Sequence, residues 1–284
     1  MKIIDGKKIS EKIKDELAKN VYSQIINNSR HPSLAVILVG QREDSQLYVS
    51  LKERAAKEVG IDSSLYLIDE KEDEKNIIDT IKFLNQDKSI DGILVQLPLP
   101  KKFNTDKILQ TISPDKDIDG FSLSKNKMFF SPVMMAIKYS LKETKKDLKD
   151  KKAFLFFNSD IFKKEVQDFL KKEGIILSAI SSQEFQEIKK NKKQLENLKE
   201  KVKKCQILIS AVGAPEFINK DFLSDDMIVI DIGITKKEGQ ILGDIKCSDA
   251  EKLSGYITPV PGGIGPITVA CLLKNVFKAF MYGK

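Results

Sequence analysis

Leu34-Ala35-Val36-Ile37-Leu38-Val39 is an unbroken apolar run that stops at Gly40. A strand with one wet face would alternate, so six apolar residues in a row point to a strand buried on both faces, as in a parallel sheet covered by helices. Upstream of it, Lys8 to Asn27 carries apolar residues at helical spacing; downstream, a helix from about Ser45 to Glu58 is stopped by Gly60. A strand (Ser64 to Ile68), a helix (Glu72 to Leu84) and a strand (Gly92 to Gln96) follow, and Pro98 and Pro100 end the last of these. The alternation restarts near Leu148. Ala153 to Phe157 reads as a strand, Ile161 to Lys172 as a helix, and Ile175 to Ile180, Ile207 to Ala211 and Met227 to Ile232 as strands. Two such series predict a two-domain α/β chain with parallel sheets. The second series is complete without the apolar-faced helix Ile267 to Tyr282, which is therefore expected to return to the first domain.

The 284 residues, 41% hydrophobic and 31% charged, fit a globular chain of one large or two ordinary domains. No run of about eighteen apolar residues stands out, so no membrane span is expected. Met1-Lys2-Ile3-Ile4-Asp5-Gly6-Lys7 lacks the basic-then-apolar layout of an export signal, and the expected location is the cytoplasm. Cys205, Cys247 and Cys271 are scattered and His31 is the sole histidine, so buried thiols are expected rather than a metal site, and a histidine-based triad is hard to build. The net charge of +7 is a lysine excess spread along the chain. Its densest run, Lys189 to Lys204, interleaves Glu and Leu as one solvated helix face would. Without interleaved aromatics or much arginine, a nucleic-acid partner is not expected, although the charge can steer an acidic small molecule.

Chemistry concentrates at a few places. Tyr48 and Lys52 lie four apart on the predicted helix, whose N-cap is expected at Asp44 or Ser45, so phenol and amine share a face. An amine loses its proton readily when desolvated, as a base must; a surface lysine beside a half-buried tyrosine is the plainer reading. Gln96 falls at the carboxyl end of an apolar strand, where open α/β sheets bind ligands, although a loop-capping amide would look the same. Pro114-Asp115-Lys116-Asp117-Ile118-Asp119-Gly120 is rich in carboxylates but lacks the calcium-loop pattern. One inward aspartate there suits the amino edge of a heterocycle, and a solvated turn is the alternative. Thr258-Pro259-Val260-Pro261-Gly262-Gly263-Ile264-Gly265-Pro266-Ile267-Thr268 is a stiff turn before an apolar helix, where backbone can approach a ligand closely.

The series DSQLYVSLK, DGILVQLPLP, PDKDIDGF, SAVGAP, VIDIGI, GD and TPVPGGIGPIT resembles the methylenetetrahydrofolate dehydrogenase/methenyltetrahydrofolate cyclohydrolase family, from about Ile3 to Ala279. The resemblance implies an N-terminal folate domain (1–125, with the returning helix 266–284) and a Rossmann-type domain (126–265), a cleft between them, a folate substrate, NADP or NAD as cofactor, and a homodimer. By motif position Lys52 resembles the catalytic lysine, Tyr48 its partner, Gln96 the residue that hydrogen-bonds it, and Asp119 the anchor of the pterin ring. Ser45 falls near the same pocket, and Pro261, Gly262 and Gly263 on the substrate-side turn. An uncharged Lys52 would suit a cationic methenyl substrate, so a depressed pKa is expected.

The resemblance breaks on the cofactor side. Where the family has a glycine-containing phosphate turn, this chain has Phe156-Phe157-Asn158-Ser159-Asp160-Ile161, and no glycine occurs between Gly120 and Gly174. Phe157 is expected to crowd a pyrophosphate and Asp160 to repel it, with Lys163 and Lys164 compensating in part. The stretch from Phe121 to Phe130 reads as several residues short, and Pro132 to Ile137 replaces a family motif. Asn158, Ser159, Asp160 and Ile234 are the expected cofactor contacts. Three readings follow: a bifunctional enzyme with NADP, a cyclohydrolase with lost or weakened dehydrogenase activity, and a non-catalytic folate-binding protein.

Overall fold

In a computed structural model, which describes residues 1–28, 30–121 and 128–283, the elements run β1 (Lys2–Ile3), α1 (Gly6–Asn28), β2 (Ser33–Val39), α2 (Glu43–Glu58), β3 (Asp62–Ile68), α3 (Glu74–Gln86), β4 (Gly92–Val95), α4 (Thr105–Gln110) and α5 (Pro132–Glu143). They continue through β5 (Lys152–Phe157), α6 (Asp160–Lys172), β6 (Ile176–Ser181), α7 (Ser182–Lys189), α8 (Lys192–Lys203), β7 (Ile207–Ala211), β8 (Ile228–Asp231), β9 (Thr235–Lys237), β10 (Gln240–Leu242), β11 (Tyr256–Ile257) and α9 (Ile264–Tyr282). Most of the stretch that reads as shortened, residues 122–127, lies outside the described residues.

The chain divides into two compact units, Ser10–Met135 with Thr268–Lys284, and Met1–Ile9 with Ala136–Ile267. In the first, β3, β2 and β4 form a parallel sheet in that order. The apolar run quoted above is its middle strand: Leu34 to Val39 are all at most 3% exposed, which explains why no polar residue alternates with them. Residues from α1, α2 and α9 close one face in a core that includes Leu17, Val21, Val49, Leu272, Leu273 and Val276. Ile77, Ile81 and Leu84 of α3 join a core with Ala35, Ile37 and Val39 of β2.

From Thr268 on, the C-terminal helix α9 thus belongs to the first unit, as its position after a completed alternation suggests. By length and composition it could cross a membrane, a match that the core helix of a soluble protein also makes. More than half of its most apolar window, 56%, is buried inside the protein, so its hydrophobicity serves the core. Asn275 pins it: its amide donates to the carbonyls of Ile118 (2.7 Å) and Phe130 (2.9 Å). Arg30 holds Asp91 with two parallel bonds of 2.7 and 2.8 Å and lies over the Phe280 ring of α9.

The second unit carries a parallel sheet in the order β1-β11-β8-β7-β5-β6, with a β9/β10 hairpin beside it. Phe154, Phe156, Phe185 and Phe222 pack in its core, Phe156 and Phe222 meeting edge to face. Two boundaries differ from the sequence reading. The helix expected from Ser45 begins at Glu43, and its N-cap is Arg42, without a side-chain cap, rather than Asp44 or Ser45. The lysine run 189–204 is not one helix face: Asn191 interrupts it by capping α8 through the Gln194 N–H. Leu198 and Val202 turn α8 inward while most of its lysines face water.

Asn275→Ala would leave the buried Ile118 carbonyl and the half-buried Phe130 carbonyl without this donor. The expected cost is about 1–3 kcal/mol, read as a lower denaturation midpoint in urea with the far-UV signal of the folded state unchanged.

Candidate active site

The apolar strand β4 ends at Val95, and Gln96 follows it into the loop still anchored as a strand residue, its N–H donating 2.9 Å to the Ile37 carbonyl. Its side chain is buried, at 8% exposure. The amide Nε2 donates 2.7 Å to the carbonyl of Leu97, which commits Oε1 to face the other way. That oxygen accepts from the Lys52 Nζ at 2.9 Å. Lys52 reaches it from α2, one turn beyond Tyr48 on the same helix face, with Ser45 buried in the first turn.

The amine is held away from water. Burial pushes the Lys52 pKa down, and the negative charge of Asp119 opposes the shift without cancelling it. The Asp119 carboxyl responds in kind: burial pushes it up to about 6, the Lys52 charge pulls it down, and the neighbouring Asp117 carboxylate pushes it up further. Lys52, Gln96 and Asp119 therefore form one electrostatically coupled group, with Tyr48 and Ser45 on the helix that carries the lysine. An amine of lowered basicity beside an acid of raised pKa takes up and returns a proton more readily than the same groups in water.

The carboxylate-rich turn is not a solvated turn. Lys116 is buried and donates 2.8 and 2.7 Å to the carbonyls of Leu84 and Asp87, closing the C-terminal end of α3. Asp117 is buried at 2% exposure, and its backbone bridges to Ile93 of β4. Only Asp115 of the three acids is exposed. Sequence reasoning singled out Asp119 and missed that Asp117 is buried beside it; the signal available was the two-residue alternation of acids against Ile118.

In the second unit the expected cofactor residues gather at the carboxyl edge of the sheet. Ser159 caps α6, accepting 3.3 Å from the Phe162 N–H. The Asn158 amide donates to the Val212 carbonyl and accepts from the Ser182 hydroxyl. Asn158 and Asp160 line a cavity of ≈ 330 Å³ together with Phe157, Lys163 and the residues from Ser181 to Glu184. Phe157 is buried at the end of β5, with the Lys163 ammonium 5.3 Å above its ring. Ile234 is 42% exposed after β8 and is not among the residues lining this cavity. Pro261, Gly262 and Gly263 belong to this same unit, directly before α9; a side chain at Gly263 would strike the Pro259 carbonyl at 2.5 Å, so only glycine fits.

Two buried acids here went unassigned in the sequence, Asp231 at the end of β8 and Asp244, at 1% and 0% exposure. Burial and the charge of Asp244 push Asp231 up to about 7 against three N–H donors. The motifs VIDIGI and GD contain them, but nothing in either motif announces that the two meet. Among the described residues no group of His, Cys, Asp and Glu has the makings of a metal site.

Comparison with known proteins covers both units. Residues 4–119 match the family described as tetrahydrofolate dehydrogenase/cyclohydrolase, catalytic domain, and residues 132–284 match its NAD(P)-binding domain. The bifunctional protein FolD of a Nitratiruptor species is 40% identical over 286 residues, 98% of either chain. That of Pelagibacter ubique is 38% identical over 287 residues, 99% of this chain and 98% of its own. Among solved structures, the bifunctional FolD methylenetetrahydrofolate dehydrogenase/cyclohydrolase of Campylobacter jejuni has a TM-score of 0.89 at 34% identity, covering 99% of both chains. The Trypanosoma brucei counterpart, complexed with NADP cofactor and inhibitor, has a TM-score of 0.89 at 28% identity, covering 99% of this chain and 97% of its own.

The raised Asp119 pKa fixes the sign of a stability change. Below its ordinary value of 3.8 the acid is protonated folded or unfolded, and it costs nothing; between 3.8 and about 6 the unfolded chain gives up its proton while the folded chain keeps it, so stability falls across that window and stays reduced above it. Asp119→Asn is therefore expected to be more stable than the parent at pH 8, by about 3 kcal/mol at most. The gain should vanish near pH 4, as read by urea denaturation at both values.

Proposed function

The chain belongs to the tetrahydrofolate dehydrogenase/cyclohydrolase family, and from that membership we propose that it oxidises 5,10-methylenetetrahydrofolate to the 5,10-methenyl compound with NADP and hydrolyses the latter to 10-formyltetrahydrofolate. The observation that carries the reading is the desolvated Lys52 amine held 2.9 Å from Gln96 and coupled to Asp119. Residues 1–125 with 266–284 would form the folate domain, and 126–265 the nucleotide-binding domain; the bounds of the two family matches support that division.

Hydrolysis asks little beyond what Lys52 offers. The methenyl substrate spreads a positive charge over an N–C–N unit, so a lysine with a depressed pKa repels it less than an ordinary ammonium would. Water adds to the bridging carbon and loses a proton to the Lys52 amine. The adduct then collapses: its hydroxyl proton leaves to solvent as the carbon–oxygen double bond forms, the bond from carbon to N5 breaks, the proton held by Lys52 passes to N5, and the formyl group stays on N10. The Gln96 oxygen holds the amine in place through the cycle, and the Asp119 carboxylate accepts hydrogen bonds from the amino edge of the pterin ring. Tyr48 would cover the ring from the same helix as the lysine, and Ser45 would lie near it; Pro261, Gly262 and Gly263 are proposed as substrate contacts from their motif position alone.

When bound, NADP supplies the acceptor for the hydride that leaves the methylene carbon. The cavity beside α6 fits the phosphate-bearing end of such a molecule: it lies at the carboxyl edge of a parallel sheet and is lined by Lys163 and Ser182. Lys163, Asn158 and Ser182 would hold it with side chains where a glycine turn would use backbone. One observation favours a second reading, a weakened dehydrogenase: Asp160 and Glu184 line the same cavity and oppose an anion.

We further propose a homodimer built on β3. This strand is an edge of its sheet, and its Leu65 and Leu67 are 39% and 69% exposed, a combination that invites pairing with a second copy. A cytoplasmic location goes with these readings, supported by three thiols that are free.

Two measurements test the function together. Added protein should bleach the methenyl chromophore, and Lys52→Ala should slow that step about 10²- to 10⁴-fold; no bleaching by the parent chain would leave only a folate-binding role. Reduced nicotinamide formed from methylenetetrahydrofolate supports the dehydrogenase half, and calorimetric NADP affinity weaker than millimolar would remove it. For the dimer, Leu67→Lys is expected to shift the mass seen by light scattering from about twice the chain mass to one chain.

A further inference from the structure

A line of hydrogen bonds crosses the carboxyl edge of the six-stranded sheet. Just after β6 the Ser182 hydroxyl donates to the Asn158 side-chain oxygen, and the Asn158 amide donates to the Val212 carbonyl after β7. The Val212 N–H then donates 2.7 Å to Asp244 Oδ2, which also accepts from the Ser210 hydroxyl at 2.7 Å, while Asp244 Oδ1 accepts from the Ala214 N–H at 2.8 Å. Asp244 is tied in turn to Asp231, whose Oδ1 accepts from the N–H groups of Asp244 (3.2 Å) and Gly233 (3.0 Å) and whose Oδ2 accepts from that of Ile245 (2.9 Å). The Asp231 N–H finally donates 2.8 Å to the Thr258 hydroxyl beyond β11.

The two acids are packed into each other's turns. A side chain at Gly233 would meet Asp244 Oδ1 at 2.0 Å, and one at Gly243 would meet Asp231 Oδ2 at 2.1 Å. Each carboxylate thus occupies the space that a glycine in the other's loop leaves empty. Burying two acids side by side is costly, and an apolar pair would stabilise the sheet edge more simply. What the acids do that an apolar pair cannot is fix the direction of backbone N–H groups in turns that follow β7 and β8, where parallel sheets bind their ligands.

We propose that Asp244, held in place by Asp231, is a positioning residue that sets the Val212–Ala214 and Gly233–Ile234 turns in the shape that receives the dinucleotide. The assignment rests on the reading of this edge as the cofactor side. It concerns dinucleotide binding and leaves the Lys52 chemistry, which sits in the other compact unit, untouched.

Asp244→Asn is the direct test, because a primary amide cannot accept from Val212 and Ala214 on opposite sides as a carboxylate does. NADP affinity, measured by calorimetry on the full chain, should fall about tenfold or more, and bleaching of the methenyl chromophore should stay within about twofold of the parent. Ser210→Ala leaves both backbone bonds in place and should keep NADP affinity within about threefold; an equal loss in both variants would mean that affinity simply follows stability, and would overturn the proposal. Should Asp244→Asn fail to fold, the unaltered chain decides: NADP should slow amide exchange at 212–214 and 233–234, and unchanged exchange there despite measurable binding counts against the assignment. NADP bound equally well by Asp244→Asn and the parent overturns the assignment alone. A parent chain that binds neither NADP nor NAD overturns the cofactor reading of this edge, and the assignment with it.

Discussion

The candidate active site depends on which way one amide points. Gln96 sits where a doubly buried strand runs out, and its Nε2 is taken by the carbonyl of the next residue, Leu97. Only the oxygen is then available to Lys52, so the lysine finds an acceptor and no competing donor. A lysine in this position without that acceptor would be a desolvated cation with little to hold it, and burial already lowers its pKa. The hydrogen bond keeps the amine at one spot while leaving its proton loosely held, which is the combination a proton carrier needs.

The strand that presents Gln96 explains why this geometry can be held so firmly. β4 pairs with β2 in register from Leu34 opposite Gly92 to Ile37 opposite Val95, and the Ile37 carbonyl then takes the Gln96 N–H. The backbone of Gln96 is thus positioned by the same apolar run that defines the fold. On the opposite side, Ile93 bridges to Asp117, so the turn that ends in Asp119 is tied to the same strand. Lysine, amide and acid come from three separate parts of the sequence, and β4 is what they share.

That dependence also decides what could be read in advance. Strands buried on both faces announce themselves, and the series from Leu34 to Gln96 and from Ala153 to Ile232 corresponds to the sheets found, within a residue or two at most ends. The two-residue strands β1 and β11 could not be seen, because they are strands only by long-range pairing: Lys2–Ile3 with Tyr256–Ile257 some 250 positions away, and Tyr256–Ile257 also with β8. The short helix α4 and the start of α5 at Pro132 lacked a long enough apolar period. Lys52, Gln96 and Asp119 were visible because motif and helix spacing agreed. The burial of Lys116 and Asp117 was not, since a turn dense in charge reads as solvated until tertiary contacts supply partners for its ammonium.

The acids at the edge of the second sheet show the same limit from the other side. Turns that leave the ends of parallel strands expose N–H groups that no neighbouring strand can pair, and each must find an acceptor if it is buried. A carboxylate has room for about four donors, and here Asp231 and Asp244 serve five backbone N–H groups between them, at Gly233, Asp244, Ile245, Val212 and Ala214. The β5 turn lacks glycine, so it cannot shape itself for close backbone approach; it borrows order from this network through the Asn158 bond to Val212. The edge is therefore shaped by side-chain acceptors placed well apart in sequence, and this is why its geometry was invisible to motif reading while the glycine deficit at Phe157 was plain.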